Sequence, residues 1–122
     1  PAAVGGVEKM TVGEITKACG FNTLCGAEPD REVKSVYCGD LLSGVMVSAP
    51  EDCAWVTVMG NVNAAAVAFR TNAACIVLAE GREADRDLTA KAREHGINVL
   101  GTDLPVFEAA LKIYCLIKNK NI

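Results

Sequence analysis

Hydrophobic positions along this chain switch repeatedly between a spacing that suits helices and short continuous runs that suit strands. Thr11-Val12-Gly13-Glu14 has the S/T-x-x-E form of a capping box, and it predicts a short helix that stops at Gly20. Val12, Ile15 and Cys19 share the inner face of that helix at helical spacing. A short strand at Thr23 to Cys25 precedes a turn from Gly26 to Arg31 that contains Pro29-Asp30. Val33 to Cys38 is rich in β-branched and aromatic residues and predicts a strand. Leu41 to Val47 follows as a short helix that ends before Pro50.

The second half is more regular. Ala54 to Val58 reads as a strand and leads through Met59-Gly60 into NVNAAAVAFRTNA, an alanine-dense helix capped by Asn61 or Asn63. Ala74 to Ala79 is uninterrupted apolar sequence, which predicts a strand covered on both faces. A charged helix from Ala84 to His95 ends at Gly96, and Ile97 to Leu100 forms the last strand. Gly101-Thr102-Asp103 is the last corner, and Leu104 to Lys118 the last helix. From Ala54 onward the order is β-α-β-α-β-α with short connections, which predicts right-handed crossovers and a mainly parallel sheet. The expected fold is therefore a compact α/β domain of three layers. Residues 1–9 read as a leader, 10–118 as one domain and 119–122 as a tail.

Half of the 122 residues are hydrophobic, chiefly Ala, Val, Leu and Ile, so one chain suffices for a single well-buried core. A formal charge of −3, with no Lys/Arg stripe carrying interleaved aromatics, argues against nucleic acid. No apolar run reaches the roughly 18 to 20 residues that span a bilayer. The N-terminus also lacks the layout of a secretory signal. Six cysteines without a C-x-x-C pair, and a single His, give weak support for a metal site. Cys38, Cys75 and Cys115 lie in apolar runs, where Cys behaves as a small hydrophobe. Reduced, mostly buried thiols in a cytoplasmic protein are the expectation.

Candidate chemistry concentrates where strands hand over to helices. In a parallel sheet those corners gather at the carboxyl ends of the strands, where ligands usually bind. The candidate ligand-binding residues are Gly39, Asp40, Ser43, Gly60, Asn61, Asn63, Gly81, Thr102 and Asp103. Asp40 also suits an N-cap of the Leu41 helix, which is the role assumed for it. Helix-end amides behind Gly60-Asn61-Val62-Asn63 suit an anion or a polar group. No catalytic constellation is apparent. Gly96 to Thr102 has the glycine spacing of a phosphate-binding loop but Thr where Lys belongs, and its middle reads as a strand. His95, Trp55 and the arginines Arg82, Arg86 and Arg93 read as a helix-end residue, a core or interface residue and a solvated charged face.

At Gly39-Asp40-Leu41-Leu42-Ser43, Asp52 to Val58 and Gly60-Asn61-Val62-Asn63, the chain resembles the DRTGG domain family. Ala74 to Gly81 and Gly96 to Thr102 fit that family's later pattern, so the resemblance covers roughly Met10 to Leu116. It looks most like stand-alone members called HPr serine kinase-like regulatory proteins. The eponymous Asp-Arg-Thr-Gly-Gly string is absent, and Gly60-Asn61-Val62-Asn63 takes its place. The resemblance implies a fold similar to the N-terminal domains of HPr kinase/phosphorylase and of Mur ligases. It also implies a regulatory or oligomerising module without a catalytic phosphate loop.

Two functions thus compete. One is a non-catalytic regulatory domain for a small polar or anionic ligand, such as a nucleotide or phosphorylated metabolite, with no cofactor and no metal. The other is an interaction module, with a homodimer or a partner protein as its product. The last helix motivates it, because Phe107, Ala110, Leu111, Tyr114 and Ile117 form one apolar stripe that Val106, Ala109, Ile113 and Leu116 widen. The exposed side of the Trp55 strand is the alternative contact surface. A small enzyme is the third reading.

Overall fold

A computed structural model describes residues 9–120 of the chain, so the expected leader (apart from Lys9) and residues 121–122 of the expected tail lie outside the described residues. The element order is α1 (Val12–Cys19), β1 (Asn22–Cys25), β2 (Ser35–Cys38), α2 (Leu42–Ser48), β3 (Cys53–Thr57), α3 (Val62–Thr71), β4 (Cys75–Leu78), α4 (Arg86–His95), β5 (Asn98–Gly101) and α5 (Val106–Lys120). Every expected element is present, with ends displaced by a few residues. α5 continues two residues past Lys118.

The five strands form one sheet in the order β1-β5-β4-β3-β2. β2, β3, β4 and β5 run parallel, and β1 pairs with β5 antiparallel. Successive right-handed crossovers that advance in one direction leave α2, α3 and α4 on the same face. The two halves of the core reflect this. Val45, Ala64, Ala65, Ala68, Leu88 and Ala92 pack with Trp55, Ile76 and Val99 on one face. Val12, Ile15, Cys19, Ala109 and Ile113 pack with Val56, Val77 and Leu100 on the other. The result is a three-layer α/β domain with a mainly parallel sheet.

Local chemistry sets the ends of the elements. Thr11 Oγ1 accepts from the Glu14 amide at 3.1 Å while Glu14 Oε1 accepts from the Thr11 amide at 2.9 Å, completing the capping box. Gly20 and Gly96 close α1 and α4 in the left-handed region, at φ of 71° each. α3 closes instead on Asn72 at φ 58°. At the amino edge of the sheet, Arg31 clamps two left-handed residues together. Its Nη2 donates to Asp52 Oδ1 at 2.8 Å and to the Asn72 carbonyl at 2.8 Å, and Asp52 itself has φ 65°.

Three expectations change. Trp55 is fully buried within β3, so that strand has no exposed side to offer a partner. Cys38 and Cys115 are exposed, because β2 is an edge strand and Cys115 lies on the outer face of α5. The apolar width of α5 is partly absorbed: Ala109, Ala110 and Ile113 are buried, whereas Phe107, Leu111 and Tyr114 are exposed.

The buried thiols carry a pH consequence. Burial pushes Cys75 up to about 12, with Cys53 adding to the rise and Arg31 opposing it. Burial also pushes Cys53 up to about 11, against the lowering effect of a backbone hydrogen bond. An unfolded thiol titrates near the ordinary value of 9.0. Above that pH the unfolded chain holds fewer protons than the folded one, so stability is lost as pH rises. Urea titrations should show a midpoint that declines as pH climbs from 9.0 towards about 11, with a shallower decline in a Cys53→Ala, Cys75→Ala chain. Iodoacetamide on the folded protein at mildly alkaline pH should label Cys115 and spare both buried thiols; their prompt labelling would contradict this burial.

Candidate functional site

Because β2 to β5 are parallel, the corners after Cys38, Thr57, Leu78 and Gly101 share one edge of the sheet. β1 runs the other way and pairs Asn22 with Gly101, so its first residue joins the same edge. Eight of the nine candidate residues divide along that edge into three groups with different work, and Asn63 lies apart from them.

Gly39, Asp40 and Ser43 form the β2 end. Asp40 Oδ1 accepts from Thr57 Oγ1 at 2.7 Å and from the Val58 amide at 3.0 Å. It does not cap α2, whose N-cap is Leu41 with no side-chain cap hydrogen bond. Two donors at the end of β3, one of them the hydroxyl of fully buried Thr57, hold the carboxylate in preference to a helix amide. Trp55 Nε1 donates to the Gly39 carbonyl at 2.8 Å, a second tie between the same two corners. Ser43 is exposed on the first turn of α2.

Gly60 and Asn61 form the middle group, and they are packed against neighbouring backbone. A Cβ on Gly60 would stand 2.2 Å from the Glu83 carbonyl oxygen, and the Gly60 carbonyl accepts from the Asp85 amide at 2.8 Å. The β3 corner is thereby fused to the loop between β4 and α4. Asn61 caps α3, its Oδ1 accepting from the Asn63 amide at 2.9 Å. Asn63 itself lies elsewhere, in an outer groove between α3 and α4 with Phe69, Arg70, Lys91 and His95. His95 there packs its ring against Phe69 at 4.7 Å between centroids.

Gly81, Thr102 and Asp103 come together. Glu80 and Gly81 both take the left-handed conformation, at φ 61° and 67°. That turn lets the Glu80 amide donate to the Leu104 carbonyl at 2.8 Å and the Gly81 amide to the Thr102 carbonyl at 2.9 Å. Thr102 Oγ1 accepts from the Leu104 amide at 3.2 Å. The two corners so joined wall a cavity of about 320 Å³, with Asn22, Leu24, Arg82, Glu83 and Thr89 completing it.

Arg82, Glu83, Thr89 and Asn22 were not anticipated there. α4 begins at Arg86 behind the N-cap Asp85. Arg82 and Glu83 consequently sit in the loop over the sheet edge and not on a helix face. Asp85, a favoured N-cap type, was the signal that could have moved the helix start. Gly96 to Gly101 is a helix end followed by buried strand β5, so that glycine spacing forms no loop for phosphate. Among the described residues, no group of three or more His, Cys, Asp or Glu side chains is placed to hold a metal ion. Nor is any helix there long and apolar enough to cross a membrane.

No protein family and no curated protein matches this chain. Among solved structures, it is similar to the CBS and DRTGG domains of the regulatory region of Clostridium perfringens pyrophosphatase, a structure complexed with the activator diadenosine tetraphosphate. The TM-score is 0.73 at 11% sequence identity, covering 92% of this chain and 50% of that one. The chain thus spans half the length of that neighbour. Likeness at this identity is a statement about fold, and it supports a DRTGG-like α/β domain.

The corner contacts have measurable weight. Asp40→Ala strips Thr57 Oγ1 and the Val58 amide of their shared acceptor and should cost about 1 to 3 kcal/mol of stability. Gly60→Ala forces a methyl onto the Glu83 carbonyl and should cost about as much through overpacking. Denaturant unfolding of both variants tests this; wild-type stability in either would remove the corresponding tie.

Proposed function

We propose that this chain is a non-catalytic regulatory domain that binds a small anionic ligand, of the nucleotide or phosphorylated-metabolite class, in the cavity between the β4 and β5 corners. The observation that carries the reading is the placement of Arg82, Thr89, Thr102 and Asp103 around an open cavity at the carboxyl edge of a parallel sheet. Ligands of open α/β sheets bind at that edge. About 320 Å³ lies at the small end of ligand pockets. Arg82 supplies the charge for a phosphate or carboxylate and Thr102 a hydroxyl, while the Thr89 hydroxyl donates to the Arg86 carbonyl at 3.1 Å and Glu83 and Asp103 accept from a ligand hydroxyl or amine.

The pyrophosphatase neighbour supports the regulatory class, since its region is described as regulatory and its activator is a nucleotide. Kinship with HPr kinase-like regulators belongs to the same reading. Six free thiols suit a reducing cytoplasmic setting. Assembly is a second reading, a homodimer favoured by the exposed Phe107, Leu111 and Tyr114 of α5.

A thermal-shift series with nucleotides, sugar phosphates and inorganic phosphate tests the ligand reading, because a ligand of the folded state raises the melting temperature. A nucleotide or sugar phosphate should raise it. Arg82→Ala should weaken that ligand by about 10- to 100-fold, the loss of a hydrogen bond to a charged group. Asn63→Ala, in the outer groove, should leave it unchanged. No shift with any probe, or a shift indifferent to Arg82→Ala, would reject this cavity. Labelled ATP with magnesium should give no phosphate transfer above a heat-inactivated control.

A further inference from the structure

A second cavity, of about 410 Å³, opens between α1, β1 and the loop 26–31, and it shares no lining residue with the cavity beside Arg82. Its floor is apolar. Val12, Phe21 and Leu100 line it, all three buried in the half of the core that α1 and α5 cover. Gly20 and Gly26 bring no side chain to it, and a Cβ on Gly20 would meet nothing within 4 Å. Gly20 is held to glycine by its own turn, since it closes α1 at φ 71°.

The walls are held by hydrogen bonds made within the protein. Asn98, a buried polar side chain at the start of β5, accepts from the Glu28 amide at 2.8 Å. Its Nδ2 donates to the Glu28 carbonyl at 2.8 Å and to the Ala74 carbonyl at 3.1 Å. The loop so anchored holds α1 in turn. The Pro29 carbonyl accepts from the Gly13 amide at 2.8 Å, and the Arg31 carbonyl from the Val12 amide at 2.9 Å. Gly13 permits that approach, because a Cβ there would stand 3.3 Å from the Pro29 oxygen. Strand, loop and helix therefore fix the cavity before any ligand arrives, which lowers the ordering cost of binding.

The polar groups of the lining are unequally engaged. Asn98 has its partners, and the Thr16 hydroxyl donates to the Val12 carbonyl at 2.7 Å. Lys17 and Thr23 also line the cavity, and neither side chain makes a hydrogen bond or ion pair among the described residues. Lys17 is the charged residue of the lining, and no acidic side chain stands with it there. We infer that this cavity binds a monocarboxylic acid with a compact apolar body, the body resting on Val12, Phe21 and Leu100 and the carboxylate turned towards Lys17. A single ammonium matches a single carboxylate, and the lining opposes a cation. A sugar suits the floor poorly, because its hydroxyls would be buried there without partners. Size is sufficient, since an apolar cavity of about 150 Å³ already holds benzene, and small-molecule sites begin at about 300 Å³. The site goes beyond the ligand proposed at Arg82 and does not depend on it.

The test is a nuclear magnetic resonance titration of the 122-residue chain with benzoate and, separately, with its neutral counterpart benzamide. Benzoate should give saturable shifts at the amides of Gly13, Gly20 and Gly26, and benzamide should bind about tenfold more weakly, the loss of a charge-assisted contact. Lys17→Met should weaken benzoate by about tenfold and erase its advantage over benzamide. Thr16→Phe, which fills the cavity, should abolish binding in a chain that stays folded by circular dichroism. If that variant does not fold, the glycine shifts and Lys17→Met still decide. No saturable shift at those glycines, or equal binding of the acid and the amide, would overturn the inference. Arg82→Ala should leave benzoate binding unchanged. Its loss there, with shifts moved to Gly81 and Gly101, would assign the acid to the other cavity and overturn this site, whereas failure here leaves the thermal-shift result at Arg82 standing.

Discussion

The constraint on which this molecule depends is the burial of β3 and β4 on both faces. Every residue from Cys53 to Thr57 and from Cys75 to Leu78 is inaccessible to solvent. A strand in that position needs apolar side chains in both directions and helices above and below it. Antiparallel hairpins cannot supply those layers, but crossover helices can. The alanines of α3 answer the same demand, because Ala64, Ala65 and Ala68 let the helix backbone lie close to Trp55 and Ile76. Trp55 fits only because its single polar atom finds the Gly39 carbonyl.

Once both faces are closed, polar groups have only the two edges of the sheet, and the edges differ. The amino edge is a clamp in which one guanidinium spans Asp52 and Asn72 and satisfies groups at the start of β3 and the end of α3. Its residues are used up on each other. The carboxyl edge is tied more loosely, through Asp40 to β3, Gly60 to the β4–α4 loop and Gly81 to Thr102. What remains unspent there is the Arg82 guanidinium, and that is why the ligand reading rests on this corner and not on the larger number of conspicuous glycine and asparagine corners.

The sequence disclosed the elements well because their signals were local. Thr11 with Glu14, Gly20, Gly96 and the unbroken run at Ala74 to Ala79 each act within a few residues, and each appears where expected. The candidate edge was legible for a related reason, since parallel topology places all four corners together regardless of side-chain detail. The division of labour along it was not legible. Asp40 is an adequate N-cap by type, and only the register of β2 beside β3 shows that Thr57 and Val58 claim it first. Gly60 looked like a ligand-facing glycine, but its missing Cβ serves the approach of Glu83, a residue 23 positions later in the chain. Arg82 looked like part of a charged helix face until Asp85 proved to be the cap. Cys38 and Cys115 failed for the same cause: an apolar neighbourhood in sequence does not reveal which strand is an edge or which flank of a helix is outermost.

The tie residues also define how the two ends of the molecule relate. The cavity beside Arg82 is built on the corners after β4 and β5 and the start of β1, and β2 lies at the other end of the sheet, beyond β3. Between them the contacts are continuous. The loop that carries Arg82 and Glu83 touches Gly60, the Gly60 corner follows Thr57 and Val58, and those two hold Asp40 at the end of β2. Each link is a hydrogen bond or a backbone approach. The cavity and the β2 corner thus stand at opposite ends of one run of contacting groups along the carboxyl edge. The fold alone would permit such a link in many chains; here it is the particular choice of Gly at 60 and Asp at 40 that closes it.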